Sequence, residues 1–328
     1  MTVPEETAPI PSRLNDATLR VALERMRAMT SFRENLRGIL SITAANLLFL
    51  INDTFIKLAS PSLPLGEILF LRGLIVTALL IPICYAAGVM KHLHTLWNAS
   101  VFWRTVAEIF GAILFILALF NIPIANINAI LQVVPLMVTA GAALLFGEKV
   151  GWRRWAAIVV GFVGVMIVIR PGLSGFDGWS LVALGSMLFI TLRDLATRTM
   201  PRGVPALLVA LVTGIAVGLT GPVYSLAAGE VWVMPDNRAT VLLCGSSLFL
   251  IGGYLFAVDF MRHGDIAVIA PFRYIVILWA IIVGYVVWGE VPDAFMIGGT
   301  ALVIASGIYT IHRERKLARI VAEPDIDI

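Results

Sequence analysis

The sequence predicts an all-α integral membrane protein, with ten transmembrane helices arranged as two inverted five-helix repeats. Three observations lead there. The chain is 59% hydrophobic and 14% charged, with a mean hydropathy of +0.93; soluble domains carry about 25% charged residues. Ten apolar segments follow one another through short connections rich in Pro, Gly, Asn or charge. Two of those segments look like copies. Ala125 to Glu148 and Ile266 to Glu290 both begin with small and polar residues, carry a proline and end in Gly-Glu, with Glu148 and Glu290 142 positions apart.

Residues 1–37 form a polar tail without the apolar core and small-residue cleavage site of a secretory signal, so no cleavable leader is expected. Within it, Leu19, Leu23 and Met26 recur at helical spacing among Arg20, Glu24, Arg25 and Arg27. That pattern fits a short helix lying on the inner membrane surface; it equally fits a partly disordered tail. The apolar segments run 38–58, 66–87, 101–120, 125–146, 152–170, 179–198, 204–227, 239–260, 266–288 and 294–311. Each can cross a bilayer core of about 30 Å at roughly 1.5 Å per helical residue. The first repeat is expected over 38–170, the second over 179–312, and a C-terminal tail over 313–328.

Orientation follows from Lys and Arg, which concentrate on the cytoplasmic side. With the N-terminus inside, 18 of the 24 lie in or beside inside segments; Lys57, Arg170 and Arg238 lie at outside ends, and Arg72, Arg193 and Arg273 lie within spans. Both termini are therefore expected in the cytoplasm of a bacterial-type inner membrane. Five spans per half is an odd number, so the second half must be inverted. The repeat shows again in the first helix of each half. Asp53 and Lys57 are four apart, as are Asp194 and Arg198, and the two aspartates are 141 apart. Acid–base pairs at this spacing neutralise one another along a helix face.

Charged groups at membrane depth are costly and mark either ion pairs or a transport path. Arg273 follows Pro271 and has no acid three or four residues away; Phe272, Tyr274 and Trp279 surround it with aromatic surface. An arginine among aromatics suits a planar or anionic organic ligand; it equally suits a structural pair with Asp53, Glu108 or Asp194. Asn128, Gln132, Pro135 and Thr139 fall on one helix face, either along a cavity or as hydrogen-bonding glue between helices. The candidate substrate-binding residues are Asn128, Gln132, Arg273, Tyr274 and Trp279, flanked by Asp53, Arg193 and Asp194. Arg72 reads as buried against Glu67 or another helix. Glu108 reads as a local partner of Arg104, Asp259 as close to Arg262, and Glu148 and Glu290 as architectural anchors. Gly214 and Gly218, four apart, favour close helix packing.

Other functions find little support in the residues. There is no phosphate-binding P-loop, so ATP is not the expected energy source. Cys84 and Cys244 lie in apolar segments without metal-ligand spacing, and the four histidines lie in or beside loops. No cofactor, metal or nucleic-acid partner is expected; the expected partners are the lipid bilayer and a small organic metabolite, with the coupling ion open. A membrane enzyme would need a nucleophile, a metal cluster or paired carboxylates at one depth. A channel would need a ring of selective groups.

The duplicated five-span unit, the LLFGE and VVWGE endings of helices four and nine, and the glycine-rich fifth and tenth helices (GFVGV, IGGTALVIASG) resemble the drug/metabolite transporter superfamily, specifically its ten-span proteins with two EamA-type domains. The resemblance covers 36–312. FLRGL and APFRYI are similar to the branch holding S-adenosylmethionine uptake carriers and riboflavin importers. It implies a central cavity lined by helices including one, three, four, six, eight and nine. It also implies a secondary transporter of a small organic metabolite working by alternating access; an exporter of amino acids or toxic metabolites is the alternative within the superfamily.

Overall fold

The computed structural model describes residues 16–148, 150–171, 177–201, 203–262 and 266–322. Among these the chain is helical, with no strand. The helices are α1 (Asp16–Ala59), α2 (Leu65–Ala86), α3 (Ala99–Asn121), α4 (Ile124–Leu131), α5 (Val134–Phe146), α6 (Trp152–Ile169), α7 (Trp179–Arg198), α8 (Ala206–Ala228), α9 (Asn237–Arg262), α10 (Ile266–Ile269), α11 (Ile275–Trp288) and α12 (Ala294–Ala322). They supply ten spans long and apolar enough to cross a membrane. The protein is a multi-pass membrane protein. α1 is continuous from Asp16, so the helical pattern around Leu19 and Leu23 extends the first span instead of forming a separate surface helix.

The fourth and ninth spans are interrupted. α4 stops at Leu131 and α5 restarts at Val134, with Pro135 in its first turn. In the ninth span, a tight 3-10 turn over Ala270–Tyr274, holding Pro271, joins α10 to α11. Proline has no N–H to donate, and its ring crowds the carbonyl four residues back, so each helix yields at that point. Both spans then end alike. Gly147 and Gly289 take φ of +68°, a left-handed conformation that favours glycine. The next N–H, of Glu148 or Glu290, closes onto the carbonyl of Ala142 (3.4 Å) or Gly284 (3.1 Å). The carboxylates of Glu148 and Glu290 therefore leave their helices at equivalent corners.

Helix packing pairs spans from the two halves of the chain. α1 packs on α9 and α3 on α7, which are the first-with-eighth and third-with-sixth spans; α2 packs on α8 and α6 on α12. Exchanging the two halves leaves this set of pairs unchanged. Two of the contacts bring backbone against backbone: a Cβ on Gly73 would lie 2.4 Å from Cα of Gly218, and one on Gly164 would lie 2.7 Å from the carbonyl oxygen of Gly299. The close packing expected around Gly214 and Gly218 is thus present, with Gly73 as the facing residue. The interior is filled by fully buried aliphatics such as Ile124, Ile127 and Ile130 of α4 beside Ile68 and Leu119.

Candidate functional site

A cavity of about 850 Å³ lies among α1, α2, α3, α7, α8 and α9. Three spans of each half wall it, at repeat-equivalent places. It opens between Arg37, Thr197, Met200, Pro205 and Asp259 and reaches inward past Arg104, Glu108 and Tyr254 to Arg72 and Leu69. The spans that line it include the second and seventh, while α4, α5, α10 and α11 contribute no lining residue among those described. Of the helices that the family resemblance implies as lining, the first, third, sixth and eighth line this cavity, and the fourth and ninth do not. The interrupted spans stand behind the walls because their buried aliphatic faces form the core.

Its floor is a chain of charges. Arg72 Nη2 donates to Asn52 Oδ1 (3.2 Å), and Asn52 Nδ2 donates to Asp53 Oδ1 (2.8 Å). Arg104 donates to Thr213 Oγ1 (2.7 Å) and lies 3.7 Å from Glu108. Glu108 also faces Arg193 (3.3 Å), whose guanidinium meets Asp194 at 2.8 Å. Tyr254 lies among Arg72, Arg104, Glu108 and Arg193, its ring edge-on to Phe49 at 5.4 Å. At the mouth, Asp259 accepts from Arg37 (2.6 Å) and from Ser41 (2.7 Å), while the side chain of Arg262 lies outside the described residues.

None of the eight candidate residues lines the cavity directly. Asp53 and Arg193 adjoin it through Arg72 and Glu108, and Asp194 follows through Arg193. Arg273 lies in the 3-10 turn, half-buried, with Asp194 as its acidic neighbour; its carbonyl accepts from Asn46 Nδ2 (3.2 Å). Tyr274 is buried, its hydroxyl seated where a Cβ on Gly307 would stand. Asn128 is buried and donates back to the Ile124 carbonyl (2.9 Å). Gln132 sits at the α4–α5 break with a buried Oε1 that has no partner among the described residues, and Trp279 Nε1 is in the same position. Arg72, Arg104, Glu108 and Tyr254 are the lining residues that sequence reasoning passed over. Arg72 is held by α1, because Glu67 is already engaged by the Val233 N–H (3.0 Å). The signal for it was in the sequence: an arginine inside an apolar span.

The Asp53–Lys57 and Asp194–Arg198 pairs do not form, and the same exchange replaces both. Lys57 Nζ meets Glu290 Oε1 at 3.0 Å, and Arg198 Nη1 meets Glu148 Oε1 at 3.4 Å. Each half's helix-end glutamate thus takes the base from the other half's first helix. The reason is geometric, since the left-handed caps at Gly147 and Gly289 aim the glutamates across the interface. Lys57 also donates to the Ile122 carbonyl (2.7 Å) and lies 4.9 Å from the Trp288 ring; Glu290 Oε2 accepts the Ile124 N–H (3.0 Å) at the start of α4. This end is sealed. The Arg198–Glu148 end is exposed and lies beside Thr197 at the cavity mouth.

The EamA-like transporter family matches residues 36–170. The chain is similar to the riboflavin transporter of Vibrio cholerae (26% identical, over 87% of this chain and 96% of the relative). It is similar to the pseudopaline exporter of Pseudomonas aeruginosa (26%, over 85% and 97%). It is also similar to the S-adenosylmethionine uptake transporter of Rickettsia prowazekii (23%, over 81% and 89%). A solved crystal structure sharing 19% identity superposes with a TM-score of 0.60 over 85% of this chain and 98% of its own, a likeness of fold. Residues 36–170 match the EamA-like transporter family, and over most of its length the chain is similar to transporters named for riboflavin, pseudopaline and S-adenosylmethionine.

Proposed function

We propose that the protein is a secondary transporter that carries a small organic metabolite across the bacterial inner membrane by alternating access between two inverted five-helix halves, 38–170 and 179–312. The observation that carries this reading is a cavity walled by three spans of each half, with the Lys57–Glu290 pair largely buried and the Arg198–Glu148 pair exposed. Inverted repeats, interrupted helices and a site where the halves meet are recurrent features of secondary transporters. Transport relatives favour this over a membrane enzyme. The 18-to-3 bias of Lys and Arg supports both termini cytoplasmic, which makes the open end the cytoplasmic one.

In the opposite state the two ends exchange roles. Arg198 and Glu148 close together, and Glu148 accepts the Ile266 N–H, 142 positions after the Ile124 N–H that Glu290 now holds. Asn128, Gln132, Arg273 and Tyr274, behind the present floor on the interrupted spans, then join the path with Asp53, Arg193, Asp194 and Trp279 beside it. The relatives are named for uptake and for export, so both directions belong to this reading.

The test is reconstitution in proteoliposomes with labelled riboflavin, S-adenosylmethionine, amino acids and nucleosides. Saturable flux of one of them, accelerated by the same compound on the far side, is the expected result. Flux that never saturates would instead identify a channel. Reporter fusions after residues 95, 150, 201 and 320 should read cytoplasmic, and those near 62, 174 and 235 external. A cytoplasmic reading at 235 would break the ten-span inversion.

A further inference from the structure

The cavity and its floor carry an imbalance of charge. The bonded chain holds three guanidinium groups, Arg72, Arg104 and Arg193, against three carboxylates, Asp53, Glu108 and Asp194; Arg273, near Asp194 but joined to it by no ion pair among the described residues, leaves one guanidinium in excess. At the two membrane ends Arg37 faces Asp259 and Lys57 faces Glu290. Counting only groups on the cavity wall gives the same sign: Arg37, Arg72 and Arg104 stand against Glu108 and Asp259. An uncompensated charge at membrane depth is costly, so a compensating charge has to come from elsewhere.

The arginines are also not used up by the protein. Of the donors of Arg72, Nη2 bonds the neutral amide of Asn52, and Nε finds no acceptor among the described residues. Arg104 spends its shortest bond on the hydroxyl of Thr213, with Glu108 farther off at 3.7 Å and shared with Arg193. Tyr254, exposed on the same wall, adds an aromatic face and a hydroxyl within the field of these arginines. Guanidinium groups present planar forks that match carboxylate and phosphate oxygens, and bonds to ionised acceptors are the strong ones.

We infer that the cavity binds an organic anion, whose carboxylate or phosphate is held by Arg72 and Arg104 and whose body lies along Tyr254. The inference rests on the proposed transport reading for its biological meaning and deepens it by fixing the charge class of the cargo. A net charge of minus one on the ligand brings the floor to neutrality. A neutral ligand leaves the excess in place, and a cation adds to it. The volume of about 850 Å³ leaves room for a body well beyond the acidic group.

The test uses the full-length protein in detergent, in buffer free of phosphate, with three probes of one shape: 2-naphthoate, 2-naphthamide and 2-naphthylmethylammonium. Thermal unfolding is followed against probe concentration, because a ligand that binds the folded state raises its midpoint. The expected result is a saturable rise with naphthoate alone. Arg72→Gln and Arg104→Gln should each weaken it roughly 10- to 150-fold, the worth of one charge-assisted hydrogen bond. An equal response to naphthamide, a larger one to the ammonium probe, or no response to any of the three would overturn the proposal. So would undiminished naphthoate binding in both glutamine variants. The comparison of probes on the unaltered protein needs no variant to fold. Naphthoate binding without saturable transport of any solute would sink the transport reading and leave the anion site standing, so the two failures are distinguishable.

Discussion

The two ends of the membrane domain each carry a glutamate paired with a basic residue, in different circumstances. At one, Lys57 and Glu290 are 10% and 19% exposed, 3.0 Å apart, and tied to a carbonyl, a helix N–H and a tryptophan ring. At the other, Arg198 and Glu148 are 49% and 54% exposed and 3.4 Å apart. The proposed duplication would supply one acid–base device twice, and the surroundings decide what each copy is worth. A buried pair leaves a stranded charge when one partner is removed, whereas an exposed pair is solvated whether or not it is made. Strong at one end and weak at the other is the difference that the proposed alternating access would require.

The largest expected effect tests that contrast. Glu290→Ala strands Lys57 and uncaps α4, and should lower stability by about 3–5 kcal/mol, read as a loss of folded protein in thermal unfolding. Exchanging the charges in a Lys57→Glu, Glu290→Lys double variant should recover part of it. If Glu148→Ala were as damaging as Glu290→Ala, the two ends would not differ in the way described.

Arg273 comes next. A ligand contact in the opposite state makes Arg273→Lys fail, because an ammonium lacks the planar fork, with roughly 10- to 150-fold lost in affinity for the transported compound at normal membrane abundance. A role confined to the Asp194 neighbourhood predicts that lysine serves and that Arg273→Ala lowers abundance instead. Normal affinity in a folded Arg273→Ala protein would confine the site to other residues.

Asp53→Asn should slow transport about tenfold, the effect of weakening one charge-assisted bond in the Asn52–Arg72 chain. Glu148→Gln should slow it less, at equal membrane abundance. Equal rates in the two would remove Asp53 from the mechanism.

The smallest effect belongs to Asp293, outside the spans, where it faces Arg170. An N–H from Met296, and after it the Arg170 guanidinium, hold its carboxyl below the usual range. Its contribution is therefore present above the ordinary carboxylate pKa and is lost as pH falls through that range toward the depressed value. Half exposed, it is worth less than about 1 kcal/mol. An Asp293→Asn variant should show a slightly flatter decline of stability in acid than the parent, and an unchanged acid profile would show that this contact adds nothing.

Much of this was legible from residues alone. Ten spans follow from hydropathy because the bilayer demands length, and Arg72, Arg193 and Arg273 announce themselves by their cost in apolar segments. The offset of about 142 between Glu148 and Glu290 exposes the duplication. What could not be read was partnership across the halves. Lys57 and Glu290 are 233 positions apart, and spacing along one helix pointed to Asp53 as the partner instead. The lining of this cavity was hidden for a related reason. Polar side chains on the fourth and ninth spans look like lining, yet Asn128 satisfies itself on its own backbone and Tyr274 is enclosed over Gly307. Pro135 and Pro271 were visible, but whether a proline bends, breaks or merely tightens a helix depends on its neighbours.

The glycine contacts bear on how such a molecule could move. Gly73 on Gly218 and Gly164 on Gly299 join second span to seventh and fifth to tenth, the two pairings that map onto themselves when the halves are exchanged. Elsewhere the halves interlock through side chains, and interdigitated side chains resist rotation until they repack. Where backbone rests on backbone there is nothing to unmesh. In the proposed alternating-access cycle these two places would serve as the bearings of a rocker: the halves would tilt about the line through them while keeping contact, and the ends would swing open and shut to either side. A larger residue at Gly73 or Gly164 would act like grit in that bearing, jamming the stroke before it touched any ligand.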